Sequence, residues 1–135
     1  MSAASRAAEA DAWRPDANGW ERLFAAIDAR DANAFVSMLA ENGEFRFGNA
    51  PAIVGRAAIR DVVAGFFAAI GGCSHRLLQS WTAADSAVCQ GEVTYTRHDG
   101  TAVTIPFVNV FQLRDGRIAK YQIYIDNSPL FSASA

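Results

Sequence analysis

Three side chains in this 135-residue chain have the chemistry to move a proton or polarise an oxygen, and each lies in a strand-like run. His75 opens the run HRLLQSWTA just after Gly-Gly-Cys-Ser. Its imidazole suits acid/base work near neutrality, while the same position would also serve a helix cap or a sheet edge. Glu92 belongs to the alternation Gln90, Glu92, Thr94, Thr96. Turned inward it would be a buried carboxyl with a raised pKa and could act as a general base; turned outward it is a solvated charge. Asn109 shares a face with Phe107 and Phe111, where an amide either finds partners within the sheet, such as Tyr95, or awaits a ligand. These three are the candidate catalytic residues. Asp126, followed by Asn127, Ser128 and Pro129, reads as a turn cap.

The element that must position Asn109 is Thr101 to Asp126. Two apolar runs joined by Asp115-Gly116 predict a long antiparallel hairpin. Val103, Ile105, Phe107, Phe111 and Leu113 share one face with Asn109, while Val108 and Val110 make the other face apolar. In the second strand Tyr121, Ile123 and Ile125 oppose Gln122, Tyr124 and Asp126. Before the hairpin, residues 75–83 and 88–97 read as two more strands. Three helices precede them: residues 18–30, with Asn18 as N-cap and Trp20, Leu23, Phe24 and Ile27 on one face; a shorter helix capped by Asp31 and ended by Asn42-Gly43; and residues 56–70, with Ile59, Val62, Val63, Phe66, Phe67 and Ile70 as its stripe. A short strand, Glu44 to Phe47, buries Phe45 and Phe47. Helices first and antiparallel strands after predict an α+β fold with the helices on one face of a curved sheet.

One domain is expected over residues 16–131, with tails at 1–15 and 132–135. Half of the residues are hydrophobic and the net charge is −2. That gives no basic footprint for nucleic acid and no disordered character. The longest apolar run is too short for a bilayer and the first residues lack a signal-peptide centre, so a cytoplasmic protein free of membrane is expected. Cys73 and Cys89 read as free thiols. No metal, nucleotide or nucleophile-elbow motif is present, and no cofactor is expected.

Ile27-Asp28-Ala29-Arg30-Asp31, Gly55-Arg56-Ala57-Ala58-Ile59 and PFVNVFQLRDGRIAKYQIYID together resemble the nuclear transport factor 2-like superfamily, in its SnoaL-like branch, over roughly residues 18–130. The resemblance implies a cystatin-like cone: three N-terminal helices in the concave face of the sheet, a cavity between them, and homodimerisation through the outer sheet face. It implies a small apolar ligand touching Trp20, Phe45, Phe47, Phe66, Phe107, Phe111, Tyr121 and Ile123. Activity would be that of an isomerase, hydrolase, cyclase or dehydratase, the alternatives being a binding protein or an interaction module. Known catalytic sets are incomplete here. Phe47 stands at the general-base position of ketosteroid isomerase relatives, with Leu23 and Asn109 at their two oxygen-polarising positions. Ile123, Phe45 and Phe47 replace the polar groups of limonene-epoxide hydrolases, whose Arg/Asp pair falls near Glu92 and Thr94. His75 matches a histidine of scytalone dehydratase, whose helical aspartate aligns with Ala25. Double-bond migration or epoxide opening by those routes is therefore not expected.

Overall fold

The computed structural model describes residues 12–131. The expected tail residues 1–11 and 132–135 lie outside them. The chain forms α1 (Ala17–Asp28), α2 (Ala32–Ser37), β1 (Leu39–Phe47), β2 (Ile53–Val54), α3 (Arg56–Ala69), β3 (Gly72–Ala83), β4 (Ser86–Thr96), β5 (Ala102–Arg114), β6 (Arg117–Ile125) and a last short turn of helix, α4 (Ser128–Phe131). The strands make one six-stranded sheet in the order β2-β1-β6-β5-β4-β3. Every pairing is antiparallel except β1 with β6, which run parallel. The α+β reading holds, with the helices on the concave side.

Local chemistry accounts for most boundaries. Asp16 caps α1, its carboxylate accepting from the Gly19 N–H at 2.8 Å, two residues before the expected Asn18. Asp31 caps α2 through the Ala34 N–H as its type and place predict. Asn42-Gly43 does not stop a helix. It lies within β1, where the register against β6 shifts between Leu39 and Glu44. A Cβ at Gly43 would stand 2.9 Å from the Ala40 carbonyl oxygen, so the bulge there needs a glycine. Asp115 and Gly116 turn the long hairpin with positive φ, as expected.

Below the cavity the cone is closed by aromatic packing. Trp13 is buried, donates its backbone N–H to the Gly116 oxygen and its indole N–H to the Gly19 oxygen, and meets Trp20 and Phe111 edge-on. The folded unit thus extends back past the expected start at residue 16, because Trp13 plugs the narrow end.

Curvature comes from bulges, one of them between Leu77 and Gln79 on β3. Opposite it lies Gly91, paired with Leu77 on one side and Phe107 on the other. A Cβ there would meet the Arg76 oxygen at 2.3 Å and the Phe107 ring at 3.0 Å. Phe107 would have to leave its contacts with Phe24 and His75. Gly91→Ala is accordingly expected to destabilise the fold by about 1–3 kcal/mol, the usual cost of overpacking. Thermal denaturation showing a melting temperature several degrees lower would match; an unchanged one would contradict the close approach.

Candidate active site

The helices and sheet enclose a cavity of about 50 Å³. Ile27 of α1, Phe35 of α2, and Val62, Val63, Phe66 and Phe67 of α3 line it from above. Phe45, Phe47, His75, Val93, Tyr95, Phe107, Asn109, Tyr121, Ile123 and Ile125 line it from the sheet. Their spacing is strand alternation: cross-strand partners such as Asn109 and Ile123, or Phe107 and Ile125, turn to the same face. The walls are almost wholly apolar, so the few polar atoms decide what the site can do.

His75 is held from α1. Its Nδ1 lies 2.5 Å from Oδ1 of Asp28, and its backbone N–H donates to Oδ2 of the same carboxylate at 3.0 Å. A carboxylate only accepts, so Nδ1 carries the proton and Nε2 is the basic nitrogen. The ring is clamped between Phe24, stacked at 4.9 Å, and Phe107, edge-on at 5.4 Å. Its side chain is 10% exposed. Position, tautomer and orientation are thus all fixed before any ligand arrives.

Asn109 and Tyr121 form the second polar pair. Nδ2 of Asn109 donates to the Tyr121 hydroxyl at 3.3 Å. Its Oδ1 is buried without a partner. Burial holds the Tyr121 phenol well above its usual pKa, with the neighbouring Cys89 and Tyr95 adding to the effect, so the hydroxyl stays protonated. The pair therefore presents an acceptor, Oδ1 of Asn109, beside a hydroxyl.

Several expected site residues take other places. Glu92 is on the outer face, because buried Val93 and Tyr95 set the phase of β4, and its carboxylate sits 3.6 Å from Arg76. Trp20 and Phe111 do not line the cavity; they stack on each other at 5.4 Å in the aromatic plug. Phe45, Phe47, Phe66, Phe107, Tyr121 and Ile123 do line it, with His75 and Asn109. Asp126 receives the Ser128 N–H at 3.0 Å and caps that turn. Asp28, the partner of His75, is among the residues that carry the family resemblance but has no catalytic role predicted from sequence, since the helical aspartate of scytalone dehydratase aligns with Ala25. Its one sequence signal is an acidic residue at the C-terminal end of a helix, where the macrodipole disfavours negative charge.

Asp28, Cys73 and His75 bring ligand atoms within 4.8 Å of one another, donor types that a divalent cation such as zinc accepts. Two of them are joined by hydrogen bonds, both Asp28 oxygens serving His75, while the Cys73 thiol donates to the Ile27 carbonyl oxygen at 3.4 Å. Burial, and then the charge of Asp28, push that thiol up to about 12.

The chain belongs to the SnoaL-like domain family, whose model matches residues 20–121. No curated protein matches it in sequence. Among solved structures, TerC co-crystallised with polyporic acid is 21% identical, with a TM-score of 0.73 over 87% of this chain and 95% of that one. A candidate polyketide cyclase from Xanthomonas campestris pv. campestris is 18% identical, with a TM-score of 0.74 over 82% and 90%. A protein with a ketosteroid isomerase-like fold from Catenulispora acidiphila, in complex with trimethylamine, is 19% identical, with a TM-score of 0.72 over 78% and 82%. At such identities the likeness establishes the fold, and the chemistry rests on this chain's residues.

The buried acids have a consequence for stability. Cys73 and Cys89 are both raised from 9.0 to about 12, chiefly by burial, and burial raises Tyr95 and Tyr121 as well. In the unfolded chain the thiols ionise near their ordinary value while the native chain keeps its protons. Between about pH 9 and 12 the native state binds more protons, so stability is full below pH 9 and falls as pH rises through that window. The melting temperature is expected to drop steeply from pH 9 to 11, and less steeply in Cys73→Ser/Cys89→Ala. Equal slopes for the two proteins would refute burial as the cause.

Proposed function

We propose that this protein is a cofactor-independent enzyme that moves a proton on a small, apolar, oxygen-bearing molecule, as in isomerisation, dehydration or ring closure. The observation that carries this reading is the contact between Asp28 and His75. A neutral imidazole with Nδ1–H bound to a carboxylate has Nε2 free to take a proton, and the aspartate then stabilises the imidazolium that forms. Asp28 is therefore the orienting group and His75 the proton-transfer group. The Tyr121 hydroxyl, which keeps its own proton while it accepts from Asn109, donates to an oxygen of the substrate in an apolar cavity, where such a bond is strong. The similarity to TerC and to a candidate polyketide cyclase supports an oxygenated, ring-containing substrate. Two free cysteines suit a reducing compartment, and no helix of the described residues is long and apolar enough to cross a membrane, so the cytoplasm is the proposed location.

Nitrobenzisoxazole tests the base directly, since its ring opens when one proton is removed from carbon. Wild-type protein is expected to accelerate that opening over buffer. His75→Ala should lower the rate by about 10²-fold or more, the usual range for a general base. In Asp28→Asn the amide can donate to Nδ1 and shift the proton to Nε2, so roughly a tenfold loss or more is expected with folding intact. Turnover that survives His75→Ala unchanged would leave a binding protein as the better reading.

The outer sheet face supports a homodimer. Cross-strand neighbours there include Trp81, Val88, Val110 and Gln122 in one row and Gln90, Val108 and Tyr124 in the next. Trp81 is 47% and Tyr124 59% exposed, a patch that a two-fold contact would cover. Light scattering at micromolar concentration should give twice the monomer mass, and Val110→Glu should return the monomer. A monomeric wild-type protein would end this proposal.

A further inference from the structure

Cys73 and His75 stand two residues apart on β3 and so turn to the same face of the sheet, the face taken by their partners on β4, buried Tyr95 and Val93. Asp28 reaches them from the C-terminal end of α1. Among the described residues this is the one place where three side chains able to bind a metal ion converge, their ligand atoms all within 4.8 Å of one another. A helix and a strand hold such atoms more precisely than loops do. We infer that Asp28, Cys73 and His75 form a binding site for a zinc-like divalent cation, and that the bound ion switches off His75 as a base.

The donor set selects the ion. Thiolate, imidazole and a carboxylate oxygen are zinc's ligands, whereas magnesium and calcium take oxygen throughout. Thiolate and carboxylate together carry two negative charges, so with a neutral imidazole they cancel a divalent ion, as a partly buried site requires. Arg30, the cation near Cys73, is turned to the Ile70 carbonyl oxygen at 3.2 Å.

The ion replaces protons, so it needs no empty cavity. Tetrahedral zinc, with bonds of about 2.0–2.3 Å, sets its ligand atoms about 3.3–3.8 Å apart. Nδ1 of His75 and Oδ1 of Asp28, now 2.5 Å apart with a proton between them, would separate by roughly 1 Å to admit it. Oδ2 of Asp28 keeps the His75 backbone N–H and so orients the carboxylate from outside the coordination sphere. The Asp28 side chain is 29% exposed, which gives the ion a path from solvent and a water its place as fourth ligand.

Binding sends the Cys73 thiol proton to solvent, breaking its bond to the Ile27 carbonyl oxygen, and moves the imidazole proton from Nδ1 to Nε2. Nε2 then donates where it had accepted. The consequence for turnover rests on the acid/base reading of His75, whereas the binding of the ion does not.

Cobalt(II) provides the test, because a thiolate bound to it absorbs strongly in the near ultraviolet and the chain has only two cysteines that could give that band. Wild-type protein, reduced and stripped of metal, should show the band and lose it when zinc is added. Cys73→Ser, which keeps a hydroxyl for the Ile27 oxygen, should show no band. Its zinc affinity should fall about 100-fold or more, since even partners outside the coordination sphere are worth about 10- to 100-fold. Cys89→Ala should keep the band, and Asp28→Asn should weaken cobalt binding by about tenfold or more, a second measure if Cys73→Ser does not fold. Zinc should stop nitrobenzisoxazole opening by the wild type, with a chelator restoring it, while Cys73→Ser should turn over at the wild-type rate and resist zinc. A band absent from the wild type, kept in Cys73→Ser or lost in Cys89→Ala would overturn the site. Zinc bound at Cys73 with turnover unchanged would overturn the switch. The band is read without substrate, so a failure of the acid/base reading shows in metal-free turnover and leaves this measurement intact.

Discussion

One carboxylate ties the two layers of this fold together at the rim of the cavity. Asp28 ends α1 and touches β3 twice, through the backbone N–H and the ring of His75. The backbone contact sets the end of the helix against the start of the strand, and the ring contact fixes the imidazole. Much else depends on that junction. Phe24, one turn earlier on α1, is thereby laid on the His75 ring, and Ile27 offers its carbonyl to Cys73. A negative charge at a helix C-terminus is unfavourable by some tenths of a kcal/mol, so a neutral residue would suit the helix better. Its presence is accounted for by His75.

What could be read from the sequence was whatever local pattern controls. The Asp115-Gly116 hairpin, the apolar stripe of residues 56–70 and the faces of β5 and β6 follow from turn chemistry and periodicity, which act over a few residues. Those same patterns place Asn109, Phe107 and Tyr121 on the concave face. They do not tell how far along the cone a residue lies. Trp20 and Phe111 share that face but belong to the narrow end, packed beneath Trp13, because depth in a cone is set by the whole sheet. Glu92 was decidable: Val93 and Tyr95 fix the phase of β4, and the polar alternation is its outer side. The Asp28 to His75 contact was not, since the two lie 47 residues apart and no local rule links a helix end to the first turns of an edge strand.

The polar groups of the cavity divide into an occupied set and a waiting set. Asp28 and His75 satisfy each other, as do the Asn109 amide nitrogen and the Tyr121 oxygen. What remains unpartnered is Oδ1 of Asn109, two residues along β5 from Phe107, whose ring packs against that of His75. Asn109 has a structural part as well, since a leucine there would leave the buried Tyr121 hydroxyl without the partner that Asn109 gives it.

The single parallel pairing in the sheet has a consequence for how the chain assembles. β3 to β6 form a meander in which each strand meets its sequence neighbour, whereas β1 reaches β6 across about 75 residues, as in Phe45 against Tyr121. Closing so long a loop costs conformational entropy that is recovered only once the partner strand exists. The meander is therefore the template and β1, with the helices that flank it, docks onto an edge already made. Phe35, Phe45 and Phe47 all arrive with that late segment, so the interior is sealed in the same step that completes the sheet.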